Sequence, residues 1–203
     1  ICLEKTNKSV IRLEGVTLAS VQGTAISATI YDEIKLGEHV LLAGDTSTGV
    51  KLFQAIADLW PWGTGHIEIP LDETQFFMPP RPYLPTGSLR EAICYPREID
   101  AFKRTDVEKW LEKLGLKNLL PQLDQVEAWE QMLSREQQQR LGLVRVLLYR
   151  PKWIFIQEAF DSLPPGGESQ MLELLAKELP TSAIVSITNQ PSAEAFHQRK
   201  LQF

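Results

Sequence analysis

The sequence predicts an α/β fold built on a largely parallel sheet that helices cover on both faces. Two runs, WIFIQ (153–157) and SAIVSIT (182–188), are apolar over a strand's length and lack the polar alternation of half-exposed strands. Segments with helical spacing alternate with such strands, and alternation of this kind is typical of a parallel sheet. A middle stretch, about residues 86–149, is helical throughout and predicts a subdomain inserted in the α/β core.

Composition excludes several classes of protein. The chain has 203 residues, of which 43% are hydrophobic and 23% charged, a balance typical of a globular domain. Its net charge is −5, so no broad basic face and no nucleic-acid partner are expected. Cys2 and Cys94 have no metal-ligand spacing and are expected to be reduced, mostly buried thiols. No apolar run reaches the 18 or more residues of a membrane span. The opening ICLEKTNKSV is expected to lie in the middle of a longer polypeptide.

The first part of the chain predicts strands followed by a strand–loop–helix unit. An apolar strand ends at Gly44, and residues with helical spacing follow from Leu52 until Trp60 and Pro61 stop the helix. The strands are expected at 11–18, 25–35, 40–43, 66–69 and 75–78.

Helices dominate the remainder. Ser88 opens a helical pattern, and Ser134 is a good N-cap for a long helix that continues over 136–149. Another helix is expected at 168–178, between the two buried strands. We therefore expect one domain over 1–203, with a core formed by 10–85 and 150–203 and a helical subdomain at 86–149.

Four motifs in the correct order resemble one family. They are LWPWGTG (59–65), FFMPPRPYLPTGSLREAICYP (76–96), LSREQQQRLGLVRVLLYRPKW (133–153) and WIFIQEAF (153–160). They resemble the nucleotide-binding domains of ABC transporters, in the branch of peroxisomal fatty-acyl transporters and their bacterial inner-membrane relatives. The resemblance implies a P-loop NTPase-like ABC ATPase fold, with a mainly parallel core, an antiparallel β edge and a helical signature subdomain.

The resemblance places the phosphate loop between the strand at 40–43 and the helix that follows. Such a loop needs GxxxxGK[S/T], in which backbone N–H groups cradle phosphates, lysine neutralises charge and the hydroxyl holds Mg²⁺. Here Val50 replaces the lysine, Lys51 comes one place late, and the hydroxyl is missing. One place on a helix rotates a side chain by about 100°. The segment from Gly44 to Trp60 is one residue shorter than the family pattern, so a remnant loop is expected. The nucleotide-binding residues implied by the resemblance are Gly44, Asp45, Thr46, Ser47, Thr48, Gly49, Val50, Lys51 and Leu52.

The family's Q-loop glutamine is replaced by Pro80, which offers no side-chain donor or acceptor. Its LSGGQ signature is Leu133, Ser134, Arg135, Glu136 and Gln137. Two glycines are thus replaced by charged residues. Glu136 would either repel the γ-phosphate of a nucleotide or serve as an ordinary first-turn acid of its helix.

The Walker B motif and the switch position are also altered. Gln157 stands where the family has the Asp for Mg²⁺, and a neutral amide is a poor substitute because hard cations favour charged oxygens. Glu158 remains at the family's catalytic-base position, retained either for chemistry or for packing. Asn189 replaces the switch histidine and cannot carry a positive charge.

The resemblance implies an ATP-binding-cassette domain that couples, or formerly coupled, ATP hydrolysis to transport. ATP and Mg²⁺ are the implied ligands, no protein metal site is expected, and the ATPase is expected to be impaired. The implied partners are a transmembrane domain and a second nucleotide-binding domain, as homodimer or heterodimer, on the cytoplasmic face of a membrane. A bacterial inner membrane is favoured over a peroxisomal one. Two alternatives stay open: a slow but genuine ATPase and a non-catalytic scaffold.

Overall fold

The computed structural model describes residues 1–203, apart from the side chain of Ser192. The strands are β1 (Cys2–Thr6), β2 (Val10–Leu18), β3 (Ile30–Lys35), β4 (His39–Ala43), β5 (Gly63–Pro70), β6 (Gln75–Met78), β7 (Gly87–Ser88), β8 (Val126–Glu127), β9 (Trp153–Gln157), β10 (Ala183–Ile187) and β11 (Arg199–Gln202). The helices are α1 (Thr46–Ile56), α2 (Leu89–Cys94), α3 (Arg104–Lys113), α4 (Trp129–Met132), α5 (Arg135–Tyr149), α6 (Gly167–Glu178) and α7 (Pro191–Glu194). The chain divides into two compact units.

The first unit holds both large sheets. It comprises residues 1–77, 151–158 and 180–203. One sheet has the order β1-β5-β2-β3, in which β2 pairs antiparallel with both of its neighbours. The other has the order β11-β4-β10-β9-β6, and the β11–β4, β4–β10 and β10–β9 pairs are parallel. Carboxyl ends of parallel strands meet at one edge of a sheet, and that edge is where α/β folds bind ligands.

The core of this unit combines side chains of both sheets and of α1. Leu52, Phe53 and Ile56 form the buried face of α1. They belong to the same apolar cluster as Trp153 and Phe155 on β9. Because β9 and β10 are buried on both faces, they read as continuous apolar runs in the sequence.

The second unit is mainly helical and comprises residues 78–150 and 159–179. The stretch 86–149 lies within it. Its longest helix, α5, contacts α2, α3 and α6. Arg145 on α5 is buried, and its guanidinium donates to the backbone carbonyls of Ala92 and Tyr83. Burial lowers the pKa of Arg145 to about 10.

Most expected elements are confirmed, but three expectations were wrong. The strand at 25–35 begins only at Ile30, because the N–H of Ile26 bonds to the carbonyl of Leu18 and wraps the chain around the end of β2. Helix α1 stops at Ile56 rather than at the Trp-Pro pair. Asp58 adopts a positive φ of 62°, and the N–H of residue 59 returns to the carbonyl of residue 54, which closes the helix. Cys2 is exposed, since it lies on an edge strand, whereas Cys94 is buried.

Within the described part of the chain, no helix combines the length and the apolarity that crossing a membrane requires.

Candidate functional site

The loop after β4 leaves the carboxyl edge of the parallel sheet. Strand β4 lies between β10 and β11, so Gly44 and Asp45 emerge from the interior of the sheet rather than from its rim. Helix α1 begins immediately, with Asp45 as its N-cap and Thr46 as its first residue. Residues 46–49, which the resemblance places in an open loop, are therefore the first helical turn.

Asp45 holds this turn through its carboxylate. Its Oδ2 accepts the N–H of Thr48 at 2.9 Å and the hydroxyls of Ser47 and Thr48. The Asp45 carbonyl also accepts the N–H groups of Thr48 and Gly49, both at 3.0 Å. The pKa of Asp45 is lowered, first by the Ser47 hydroxyl and then by the Thr48 N–H. A negative charge is thus held at the N-terminus of a helix, where the helix dipole favours an anion.

The side chain of Lys51 reaches back along α1 to the first turn of the helix. Nζ of Lys51 donates to the carbonyl of Ser47 at 3.2 Å and lies 5.5 Å from the centre of the Trp60 ring. Trp60 is fixed in turn, since its indole N–H donates to the carbonyl of Ala19 at 3.1 Å. Val50 packs against the apolar core, and the core buries the neighbouring Leu52. The sequence pattern does not identify Trp60 as a partner of this lysine, although Trp60 follows the helix by only a few residues.

Glu158 and Asn189 meet at the same edge of the sheet. Gln157 ends β9 and is in register with Ile187, the last residue of β10. Glu158 follows with a φ of 43°, and its N–H donates to the carbonyl of Ile187 at 2.9 Å. The side-chain amide of Asn189 donates to the Glu158 carboxylate. The two residues at the catalytic-base and switch positions of the family pattern are therefore hydrogen-bonded to each other.

The signature residues form the start of α5 in the second unit. Ser134 and Gln137 make a capping box: the Ser134 hydroxyl accepts the N–H of Gln137 at 3.2 Å, and the Gln137 side chain accepts the N–H of Ser134 at 2.9 Å. Leu133 is buried just before the cap. The expected N-cap at Ser134 is confirmed.

The two charged replacements in the signature both have partners. Arg135 forms an ion pair with Asp161 at 2.8 Å, and Glu136 pairs with Arg140 one turn later, also at 2.8 Å. The second pair favours the interpretation of Glu136 as an ordinary first-turn acid.

Pro80 is linked to the same helix through Gln139. Its carbonyl accepts the side-chain N–H of Gln139 at 3.1 Å, and that amide group also donates to the Asp161 carboxylate. The Gln139 oxygen accepts the N–H of Ser162 at 3.1 Å. Sequence reasoning missed Gln139, which is 1% exposed. Gln139 lies four residues after Arg135, so the two side chains share one face of a helix, and this spacing could have identified Gln139 as part of the same site.

Comparisons with known proteins identify relatives of the chain. No protein-family model matches it. An uncharacterised ABC transporter ATP-binding protein of Haemophilus influenzae is 34% identical over 81% of this chain and 28% of its own length. The inner membrane ABC transporter ATP-binding protein YddA of Escherichia coli is 28% identical over 92% of this chain and 33% of its own length. ABC transporter D family member 3 of Dictyostelium discoideum is 31% identical over 95% of this chain and 27% of its own length.

The chain is a homologue of ABC transporter ATP-binding proteins. A solved structure, a bacterial Atm1-family ABC exporter with ATP bound, matches it with a TM-score of 0.83. That match covers 100% of this chain and 38% of the exporter chain, at 17% identity. Both the family resemblance and the ABC ATPase fold expected from the sequence are confirmed. This ABC homologue spans about a third of the length of the curated relatives it matches.

Proposed function

We propose that this chain is the ATP-binding-cassette domain of a membrane transporter in which ATP and Mg²⁺ bind weakly or not at all. Its role in the transporter is then structural or regulatory rather than hydrolytic. One observation carries the proposal: the segment that should cradle phosphates is a helical turn whose lysine packs against Trp60.

Four donors of this segment are already used by Asp45. A phosphate cradle presents successive free N–H groups in a loop before the helix. Here the N–H groups of Thr48 and Gly49 are already donated to Asp45, as are the hydroxyls of Ser47 and Thr48. A phosphate at this point would also meet the Asp45 carboxylate, and like charges repel.

The residues that the family resemblance implies for Mg²⁺ are also poor ligands for this ion. Gln157 supplies a neutral amide where the family motif has a carboxylate, and Glu158 is engaged by Asn189. Loss of one preorganised transition-state donor costs about 10²–10³ in rate, and groups that act as a unit fail together. Efficient hydrolysis is therefore not expected.

We propose that the stretch PPRPYLPTGSLREA (79–92), which keeps the family motif apart from Pro80, docks a membrane partner. In the second unit Tyr83 is 60% exposed, and its ring meets that of Tyr95 edge-on at 5.2 Å. The buried guanidinium of Arg145 donates to the Tyr83 carbonyl at 2.7 Å and thereby fixes the backbone that presents this ring. Exposed aromatic rings on a fixed backbone are typical of binding surfaces. We place the transmembrane domain here, and a second nucleotide-binding domain completes the assembly.

The location follows from the same proposal. We propose the cytoplasmic face of a bacterial inner membrane, and the name of the inner membrane ABC transporter ATP-binding protein YddA of Escherichia coli supports it.

The deciding experiment is calorimetric titration of the purified domain with Mg²⁺·ATP, supported by a thermal-shift measurement. No heat and no stabilisation at millimolar ATP is the expected result. Binding in the micromolar range would overturn the proposal. In that case a Lys51→Ala variant would separate a contribution of the displaced lysine from one of the loop hydroxyls.

A slow ATPase is the second candidate, because Glu158 keeps a carboxylate at the carboxyl edge of the sheet and Asn189 orients it. Phosphate release over hours from the wild-type domain, abolished by Glu158→Gln, would favour this candidate. Equal background rates in the two proteins would exclude it.

A further inference from the structure

The two glycines of the degenerate loop lie against the ring of Phe203. A Cβ atom added at Gly44, whose φ is +150°, would lie 2.9 Å from Cε2 of Phe203. One added at Gly49 would lie 3.2 Å from Cζ of the same ring and 3.0 Å from Cδ1 of Ile187. Glycine at both positions therefore has a packing reason that involves no nucleotide.

The position of Phe203 follows from the sheet. Strand β11 runs parallel to β4, and Gln202 is in register with Ala43. Phe203 therefore leaves the sheet beside Gly44, which leaves it at the same edge. The ring packs against the apolar core of the unit, so it is held by burial of apolar surface rather than by a single contact.

Asp45 fills the start of the loop, at the N-terminus of α1. Its carboxylate accepts one backbone N–H and two hydroxyls at the N-terminus of α1. These are the kinds of donor that a phosphate oxygen would use at a helix N-terminus. Aspartate is common at this position of phosphate loops, so its presence alone does not indicate whether a phosphate binds. Its geometry here is what makes it a competitor of phosphate.

We propose that the loop is closed from within, with the Asp45 carboxylate in the place of a phosphate and the Phe203 ring lying on Gly44 and Gly49. This closure, and not the missing lysine alone, limits binding of the triphosphate chain of a nucleotide. The inference rests on the proposed function, because it explains why a domain of this family binds ATP weakly. The inference makes a prediction that the proposed function does not make: restoring the lysine alone must not restore ATP binding.

The test compares three variants of the full chain with the wild type. Val50→Lys restores the lysine, Asp45→Ser with Phe203→Leu removes the carboxylate and the aromatic ring, and the triple variant does both. The Ser and Leu replacements keep a capping hydroxyl and an apolar side chain, so the helix start and the core are retained. Mg²⁺·ATP and inorganic triphosphate are the probes, and calorimetry measures their affinities.

We expect the triple variant to bind both probes at least tenfold more tightly than Val50→Lys alone. Equal affinity of these two variants would overturn the inference, whether both bind or neither does. Micromolar binding by the wild type would instead overturn the proposed function, so the two failures are distinguishable.

A measurement on the wild type keeps the inference testable if the triple variant does not fold. Amide hydrogen exchange without ligand should show protection of the N–H groups of Thr48 and Gly49, because both are donated to Asp45. Exchange of these two amides at the rate of an unfolded chain would overturn the inference.

Discussion

Removing the hydrogen bonds of Gln139 while keeping its size should destabilise the second unit. Gln139→Met preserves the length, volume and helix propensity of the side chain. The replacement therefore removes only the hydrogen bonds with Pro80, Asp161 and Ser162. Each such bond contributes about 0.5–1.5 kcal/mol net. Asp161 is 44% exposed, so water can replace its bond in part. We therefore expect the free energy of unfolding to fall by about 2 kcal/mol, or about 4–8 °C in Tm.

Urea denaturation followed by far-ultraviolet circular dichroism measures this change. Gln170→Met on α6 is the matched control, because it makes the same replacement at an exposed position of the same unit. The control should stay within about 0.5 kcal/mol of the wild type. If Gln139→Met were as stable as the control, the Gln139 amide would not hold the Pro80 and Asp161 segments.

Three further predictions concern charge and thiol chemistry. The pKa of Asp45 is lowered, mainly by the Ser47 hydroxyl, so its stabilising effect is complete above the unfolded pKa of about 3.9 and is lost as pH falls through the lower folded value. The Tm difference between wild type and Asp45→Ala should therefore shrink in acid, and a constant difference would contradict this. Arg145→Lys should lower the free energy of unfolding in urea by about 1–3 kcal/mol, because an ammonium lacks the guanidinium fork and leaves a buried carbonyl unpaired. Unchanged stability would contradict it. In native protein a thiol reagent should modify exposed Cys2, whereas Cys94, whose pKa burial raises, should react only after denaturation. Equal native rates for both thiols would be incompatible with the structure.

Features with a short-range physical cause could be predicted from the sequence. The start of α5 follows from Ser134 and Gln137, three residues apart, which satisfy each other's backbone N–H groups. The strands β9 and β10 follow from apolar runs that only a doubly covered sheet can bury. Strand β1, in contrast, was not foreseen. It pairs in parallel with β5, some 60 residues away, and its own residues are mostly polar or exposed.

The closure of the loop could be predicted only in part. Asp45 followed by Thr46 is an N-cap signal, and it would have allowed an earlier helix start. The family pattern assigned these residues to an open loop instead. Contact of Phe203 with Gly44 and Gly49 depends on the parallel pairing of β11 with β4, which no local pattern specifies. Side chains that meet only through sheet topology are the ones sequence reasoning misses.

Three residues retained from the family pattern have a partner inside the protein. Gly49 makes room for Phe203, Ser134 caps α5, and Glu158 accepts the Asn189 amide. Val50 and Gln157 replace the lysine and the Walker B aspartate, whose family role is to meet a ligand. Packing and capping account for Gly49, Ser134 and Glu158 whether or not a nucleotide binds.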